Sequence, residues 1–526
     1  MRLIPDDPFP EVGSPYTTCA SADGRWIAVS CQASGRGGLG RIVVYRASDL
    51  ALWDQIMLEQ GVEGLAFHPA VSVLAVGTED GDEFDRRGGL HLYEPETRRR
   101  TDVAVAEAGV TALRWRDARR LEVTFARPVL DFEDLGRETY TRSVAECDDW
   151  HDVTADTLAA LVSGPRKPVD VDWSAVKGPD IDHPRRYLAD VAAQQGRAWT
   201  RRRGAEVVEL LRDGRILAAP YGEVLLECWS PEGTLLWSVP VPDDRWQRSG
   251  CRLYVTPDEE SVWITVLEGD SGDRRTLLRR FALADGEQLA ELRLDFPVAI
   301  ARRTDGAWVA RDSRELFPGP RWPPYESVVL TPSGRQLATL ALGESDSSYD
   351  FPVRRSPHLL FLYGVGGGEV PTEILQKWVV RADPEGIERL FPFAWDDSLG
   401  PHLIGGPAVY VDDEAGPGLI HTCTARDGTH LVRRAYPSGA VIWAHRFDAR
   451  VPGVDAHAGL VHAVTGAGAC ELLTLRATEG TEVRRRPLTL GGHTYTPTSL
   501  STGPNGDLVI GTAEGRLISM QSDGRE

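Results

Sequence analysis

Lysine and methionine are nearly missing from this chain: three of each stand among 526 residues, so arginine supplies almost all of its positive charge. With lysines only at 167, 177 and 377, no G-x-x-x-x-G-K phosphate loop can be written. Cysteine is scarce and scattered. Its seven positions include no C-x-x-C pair, and the odd count fits neither a disulfide framework nor a zinc knuckle, so reduced, buried thiols are expected. Nowhere do about eighteen apolar residues follow one another, as a membrane-crossing helix requires. The opening MRLIPDDPFP also lacks the apolar stretch of a signal peptide. A cytoplasmic protein without a membrane partner is the expectation. A net basic surface is missing too: the formal charge is −20, and the short arginine runs at 98–100, 201–203 and 484–486 sit in acidic surroundings. Nucleic acid is therefore not an expected partner, because phosphate contacts need a basic stripe.

What is present is ordinary globular composition, 42% hydrophobic and 26% charged, with an unusual fifteen tryptophans falling mostly in strand-like segments. The arginine bias, with abundant alanine and glycine, matches high-GC bacterial coding. Self-similarity is the main signal. A strand, a turn centred on glycine and a second strand recur as SPEGTLLWSVPV (230–241), ADGEQLAELRL (284–294), TPSGRQLATLAL (331–342), ADPEGIERLFPF (382–393), YPSGAVIWAHRF (436–447) and ATEGTEVRRRPL (477–488). Upstream of most lies another hairpin built on Asp-Gly or Asn-Gly, as in LRDGRILAA (211–219), RTDGAWVAR (303–311) and GPNGDLVIG (503–511). Two hairpins per period make a four-stranded blade. The expected fold is an all-β propeller of four-stranded antiparallel blades, about ten in number.

GTLLWSVPV and GAVIWAHRF resemble the outer hairpin of quinoprotein-type repeats, and GVEGLAFHPAVSVLAVG (61–77) resembles the inner strands of a WD repeat. The resemblance to the WD-repeat and quinoprotein-like propeller superfamily covers about four-fifths of the chain and implies a fold, not an activity. No Trp-Asp pair closes a blade in the WD position. Three blades are expected over 1–147 and seven over 205–526, with a partly helical insertion or linker at 148–204. The last repeat ends after its third strand, RLISM (516–520). Two closures follow. The N-terminal MRLI completes that blade and closes one ring of about ten, the preferred reading because it leaves no unpaired edge. Alternatively, 198–202 closes a ring of seven and leaves three blades with bare apolar faces.

Several motifs tempt and fail. GRGGLG (35–40) has dinucleotide-loop spacing but leads into a strand, not a helix. GDSG (269–272) has no protease context around it. The acidic EDGDEFD (79–85) lacks the closing ligand of a calcium loop, and the pairs His421/His430 and His457/His462 lack a partner carboxylate or thiol at metal spacing. No catalytic residue, metal site or cofactor is assigned. Long connections on one rim carry aromatic residues among proline, aspartate and arginine: Trp246, Trp322, Tyr325 and Trp395. That mixture suits a protein-binding hot spot, though the same side chains could simply plug loops onto blades. The sequence thus points to a non-enzymatic interaction scaffold or sensor subunit with a protein partner. The alternative is a propeller-fold lyase or hydrolase with its site at the central channel. Nothing in the residues decides for or against a small-molecule ligand.

Overall fold

The computed structural model describes residues 1–32, 40–80, 86–105, 108–128, 140–169, 182–200, 202, 204–220, 224–241, 246–247, 251–268, 275–294, 298–312, 326–341, 351–363, 377–383, 386–399, 403–466 and 469–521. Within them the chain divides into two compact units, one made of Met1–Pro5 with Arg202–Glu526 and the other of Asp6–Arg201.

One repeat of the larger unit shows why the chain makes blades. Ala205–Leu210, Ile216–Pro220, Val224–Trp229 and Leu235–Pro240 pair antiparallel in chain order. The two middle strands are buried along nearly their whole length, while the fourth exposes most of its residues. A sheet covered on both flat faces needs continuous apolar strands in its middle, and only its outer edge can alternate. Asp213 shapes the first hairpin by accepting the Arg215 amide at 3.0 Å. The second-hairpin glycines serve a further purpose at Gly439. Its φ of +73° favours glycine, and a Cβ there would stand 2.2 Å from Phe391 Cγ of the preceding blade.

Among the described residues this unit holds seven such sheets, blades 1 to 7, at 205–240, 246–294, 298–341, 359–392, 404–447, 453–487 and 497–520. Apolar clusters join each blade to the next, for instance Leu226 and Cys228 with Ile264 and Leu277 between blades 1 and 2. The same holds for each following pair, to Val464 and Leu472 with Leu500 and Ile510 between blades 6 and 7. A last cluster closes the circle: Ile4, Val509 and Leu517 of blade 7 pack on Ala205, Val208 and Ile216 of blade 1. The fold is a β-propeller, and this ring has seven blades.

The fourth strand of blade 7 is Arg2–Ile4, antiparallel to Leu517–Met520 with Leu3 opposite Ile518. The N-terminal residues therefore supply the closing strand, as expected, but they close a ring of seven and not the preferred ring of ten. The described residues 198–200 and 202 do not take that position.

Blade 4 departs from the pattern. Its described sheet has three strands, Leu359–Tyr363, Trp378–Asp383 and Gly386–Pro392. The residues in its innermost position, Val353–Arg354, pair in parallel with Ala408 and Val409 of blade 5. Arg355 follows with a φ of +60°, uncommon for a residue with a side chain.

Among the described residues the smaller unit stacks three sheets, at 15–58, 61–105 and 109–169. The helices expected in the 148–204 segment form as α1 (Ala155–Val162), capped by the Thr154 hydroxyl, and α2 (His183–Gln194), which opens with Pro184. They answer the objection that such a stack must leave apolar faces bare. Leu188 and Ala192 of α2 cover Ile27, Val29 and Tyr45 of the first sheet, and Leu158 and Val162 of α1 extend the core between the second and third. The other face of the third sheet carries an ion-pair cluster, Glu122 accepting from Arg116 at 2.7 Å and pairing with Arg142 at 3.3 Å, with Val144 exposed beside it. End units of an open stack are commonly finished in this way. No helix among the described residues is long and apolar enough to cross a membrane.

Candidate functional site

At the centre of the seven-bladed ring, charged side chains arrive from blades on opposite sides of the ring. Glu209 is next to last in the first strand of blade 1, Arg302 ends that of blade 3, and Arg354, with Arg355 just after it, comes from the displaced strand before blade 4. Asp455 belongs to the first strand of blade 6, and Ser501 and Thr502 to that of blade 7. Blade 4 meets blades 1 and 7 only across the axis, so these contacts mark the centre itself.

Arg354 Nη1 donates to Glu209 Oε2 at 2.8 Å, and its Nη2 to the Val208 carbonyl at 3.1 Å. Arg355 grips Asp455 with two bonds, Nε to Oδ1 at 2.8 Å and Nη2 to Oδ2 at 3.1 Å, and also donates to the Thr502 carbonyl at 2.7 Å. Asp455 is fully buried and further accepts the amides of Ala456 and Thr502 at 2.9 and 2.8 Å. Burial alone would raise this carboxyl, but the Arg355 and Arg354 charges and the amide donor reverse the effect and hold it below its usual range. Planar two-pronged pairing of this kind fixes geometry as well as charge. The left-handed Arg355 backbone, a costly conformation, persists because these bonds over-determine it.

Beside the network opens a cavity of 340 Å³, lined by the turns after the first strands of blades 1, 2 and 3 and by Tyr254, Trp263 and Trp308. Arg212, Arg302, Arg303, Arg354 and Arg355 all line it. Because blade strands alternate in direction, this is the end of the ring opposite the long connections.

Of the aromatic residues expected on that other rim, Trp322 and Tyr325 lie outside the described residues. The Trp246 backbone forms the short strand Trp246–Gln247, which pairs with Glu268 and Leu267 of blade 2. Trp395 is half-buried between blades 4 and 5, its ring 6.1 Å from that of His421 and 5.7 Å from that of His430, with the Arg434 guanidinium 5.7 Å away. Both members of that histidine pair thus face one indole. His421 is fully buried, and burial pushes its pKa down to about 3. His462 stands opposite Asp455, and burial lowers it to about 4. Most of GRGGLG, all of GDSG and all but the first two residues of EDGDEFD fall outside the described residues; Gly40 begins a strand.

No protein-family model matches the chain, and no curated protein matches it. One solved chain, from the "Crystal Structure of Mitotic Checkpoint Complex", aligns over 60% of this chain and 90% of its own length. The identity is 10% and the TM-score 0.42, too loose a likeness to bear on binding or activity.

Sequence reading missed the central arginines. VRRSPH carries no hairpin glycine, so residues 353–356 gave no strand signal. A usable clue was there: charged or hydroxyl residues stand just before the first turn of several blades, in VVELLRDG, AIARRTDG and SLSTGPNG. Strand ends beside the axis are where such side chains can meet.

Proposed function

We propose that this chain is a non-enzymatic protein-interaction scaffold or sensor subunit, with its partner held on the rim that bears the long connections. The observation that carries the reading is the chemistry of the ring centre, the place where a propeller enzyme would keep its acids and bases. Glu209 and Asp455 are held by guanidinium, hydroxyl and amide donors. Arginine pairing keeps Asp455 ionised, while burial keeps His462 neutral. A general acid or base needs a pKa near the working pH and a free path to substrate, and neither group offers both. Such a centre attracts and holds.

The rim aromatics Trp246, Trp322, Tyr325 and Trp395 are the proposed contacts, with Trp322 the better probe because Trp395 also packs against His421 and His430. Tagged full-length protein purified from its own host is expected to carry a stoichiometric protein. Trp322→Ala should leave the melting temperature unchanged and weaken capture by about tenfold or more, the loss typical of an aromatic hot spot. A stoichiometric metabolite or metal with no protein partner would overturn the reading, and unchanged capture would remove that connection from the contact.

A further inference from the structure

The cavity at the turn end of the ring has properties that the scaffold reading does not use. Five arginines line it, and four of them have a carboxylate of their own: Arg212 with Glu259, Arg303 with Asp305, Arg354 with Glu209 and Arg355 with Asp455. Arg302 is the fifth. It shares Glu209 at a distance of 3.5 Å and lies over the Tyr254 ring at 5.8 Å, and its guanidinium makes no hydrogen bond among the described residues. A second donor beside it is also unsatisfied. Tyr254 is 9% exposed and lines the same cavity, and its buried hydroxyl has no hydrogen-bond partner among the described residues. Burial raises its pKa far above neutrality, so the phenol keeps its proton and can only gain by finding an acceptor.

One surplus positive charge and two kinds of unused donor call for an oxygen acceptor with one negative charge. Leaving a buried donor unmet costs free energy, which a ligand oxygen would recover. The apolar edges of Trp263, Trp308, Pro257 and Pro332 can cover the hydrocarbon part of such a ligand, and 340 Å³ falls in the range of small-molecule sites, about 300 to 1,000 Å³.

We propose that this recess is a carboxylate-binding site, with Arg302 and Tyr254 as its free donors and Arg354 and Arg355, held by Glu209 and Asp455, as its fixed positive wall. A dianion fits less well, because only one positive charge is uncompensated and the buried carboxylates stand close behind. The carboxylate comes from a small molecule or from an acidic side chain of a peptide. The site stands independently of the partner proposed on the opposite rim.

Isothermal titration of the full chain tests this with N-acetylglutamate amide, a capped tetraglutamate peptide and inorganic phosphate. Saturable binding of at least one carboxylate probe is expected, with phosphate weaker. Equal affinity for the two assigns a small carboxylate, and tighter peptide binding assigns an acidic side chain. Arg302→Gln and the isosteric Tyr254→Phe should each weaken binding by about tenfold, the worth of a hydrogen bond to a charged group. Arg302→Gln removes no internal hydrogen bond, so its circular dichroism and melting should match the parent. The proposal is overturned if neither carboxylate binds, if phosphate binds more tightly, or if both variants bind as the parent does. Partner capture through Trp322 is unaffected by any of these outcomes, so the two readings fail separately.

Discussion

Replacing Ile4 by alanine tests the ring at its seam. Ile4 is 1% exposed and packs among Ala205, Val208, Ile216, Trp229, Val509 and Leu517, the cluster that joins blade 7 to blade 1. The turn glycine of blade 1, Gly233, also approaches it, since a Cβ there would lie 3.1 Å from Ile4 Cγ1. The substitution removes three buried carbons at about 0.8 kcal/mol each, or about 2.4 kcal/mol by transfer alone. A cavity that cannot collapse adds to this, within the range of about 2 to 5 kcal/mol seen for such truncations. About 3 kcal/mol is expected. The closing strand contributes only three residue pairs, so the loss should appear first as local opening. Hydrogen exchange is the assay. Peptides covering 516–521 should lose protection by about a hundredfold, since 1.4 kcal/mol corresponds to tenfold, while those of blades 3 and 4 change little. Leu3→Ala, at a half-buried position on the other face of the strand, should have a clearly smaller effect. Unchanged exchange over 516–521, or equal effects of the two variants, refutes the closure.

Gly439→Ala should cost about 3 kcal/mol in urea unfolding, because positive φ and contact with Phe391 both oppose a Cβ; a cost below about 1 kcal/mol contradicts that geometry. Arg433 is fully buried and donates to both oxygens of Asp413, at 2.7 and 2.8 Å, so Asp413→Asn strands a buried guanidinium and should cost about 3 to 5 kcal/mol, with Arg433→Met added to it restoring part of the loss. Acid should weaken the fold in two stages, read from urea midpoints against pH. Burial lowers His462 from 6.5 to about 4 and His421 from 6.5 to about 3, so the unfolded chain binds both protons first; stability is complete above 6.5 and drains as the pH falls toward 4, and His462→Leu should remove its share of this stage. Asp455 is likewise lowered from 3.8, so its contribution is complete above that value and is lost as the pH falls through its folded pKa; Asp455→Asn should remove its part of that second stage, which Asp413 shares.

The blades were legible because their signals are local. Turn glycines at 214, 233, 286, 306, 334, 439, 480 and 506 all have φ between +71° and +87°, where the repeats put them. Helices α1 and α2 were equally plain from their apolar spacing. Ring size was not, since it depends on which faces of different sheets meet, and no short-range pattern encodes that. The argument for ten blades failed on a specific point: Leu188 and Ala192 of α2 and the ion pairs of Glu122 finish a three-sheet stack without a ring. The central site was hidden for a similar reason. Arg354 and Glu209 look like solvated charges in sequence, and only closure across the axis turns them into a partly buried pair. Trp395 shows the ambiguity of loop aromatics, since its neighbours His421, His430 and Arg434 account for much of its surface.

The central claim is that seven blades bring distant inner strands together around one axis. A double-mutant cycle on Arg354 and Glu209, 145 residues apart and 2.8 Å across the centre, tests it most directly. With Arg354→Met, Glu209→Gln and the double variant, urea unfolding should give a coupling of about 1 kcal/mol or more. Additive losses, with no coupling between the two, would mean that these strands do not share a centre.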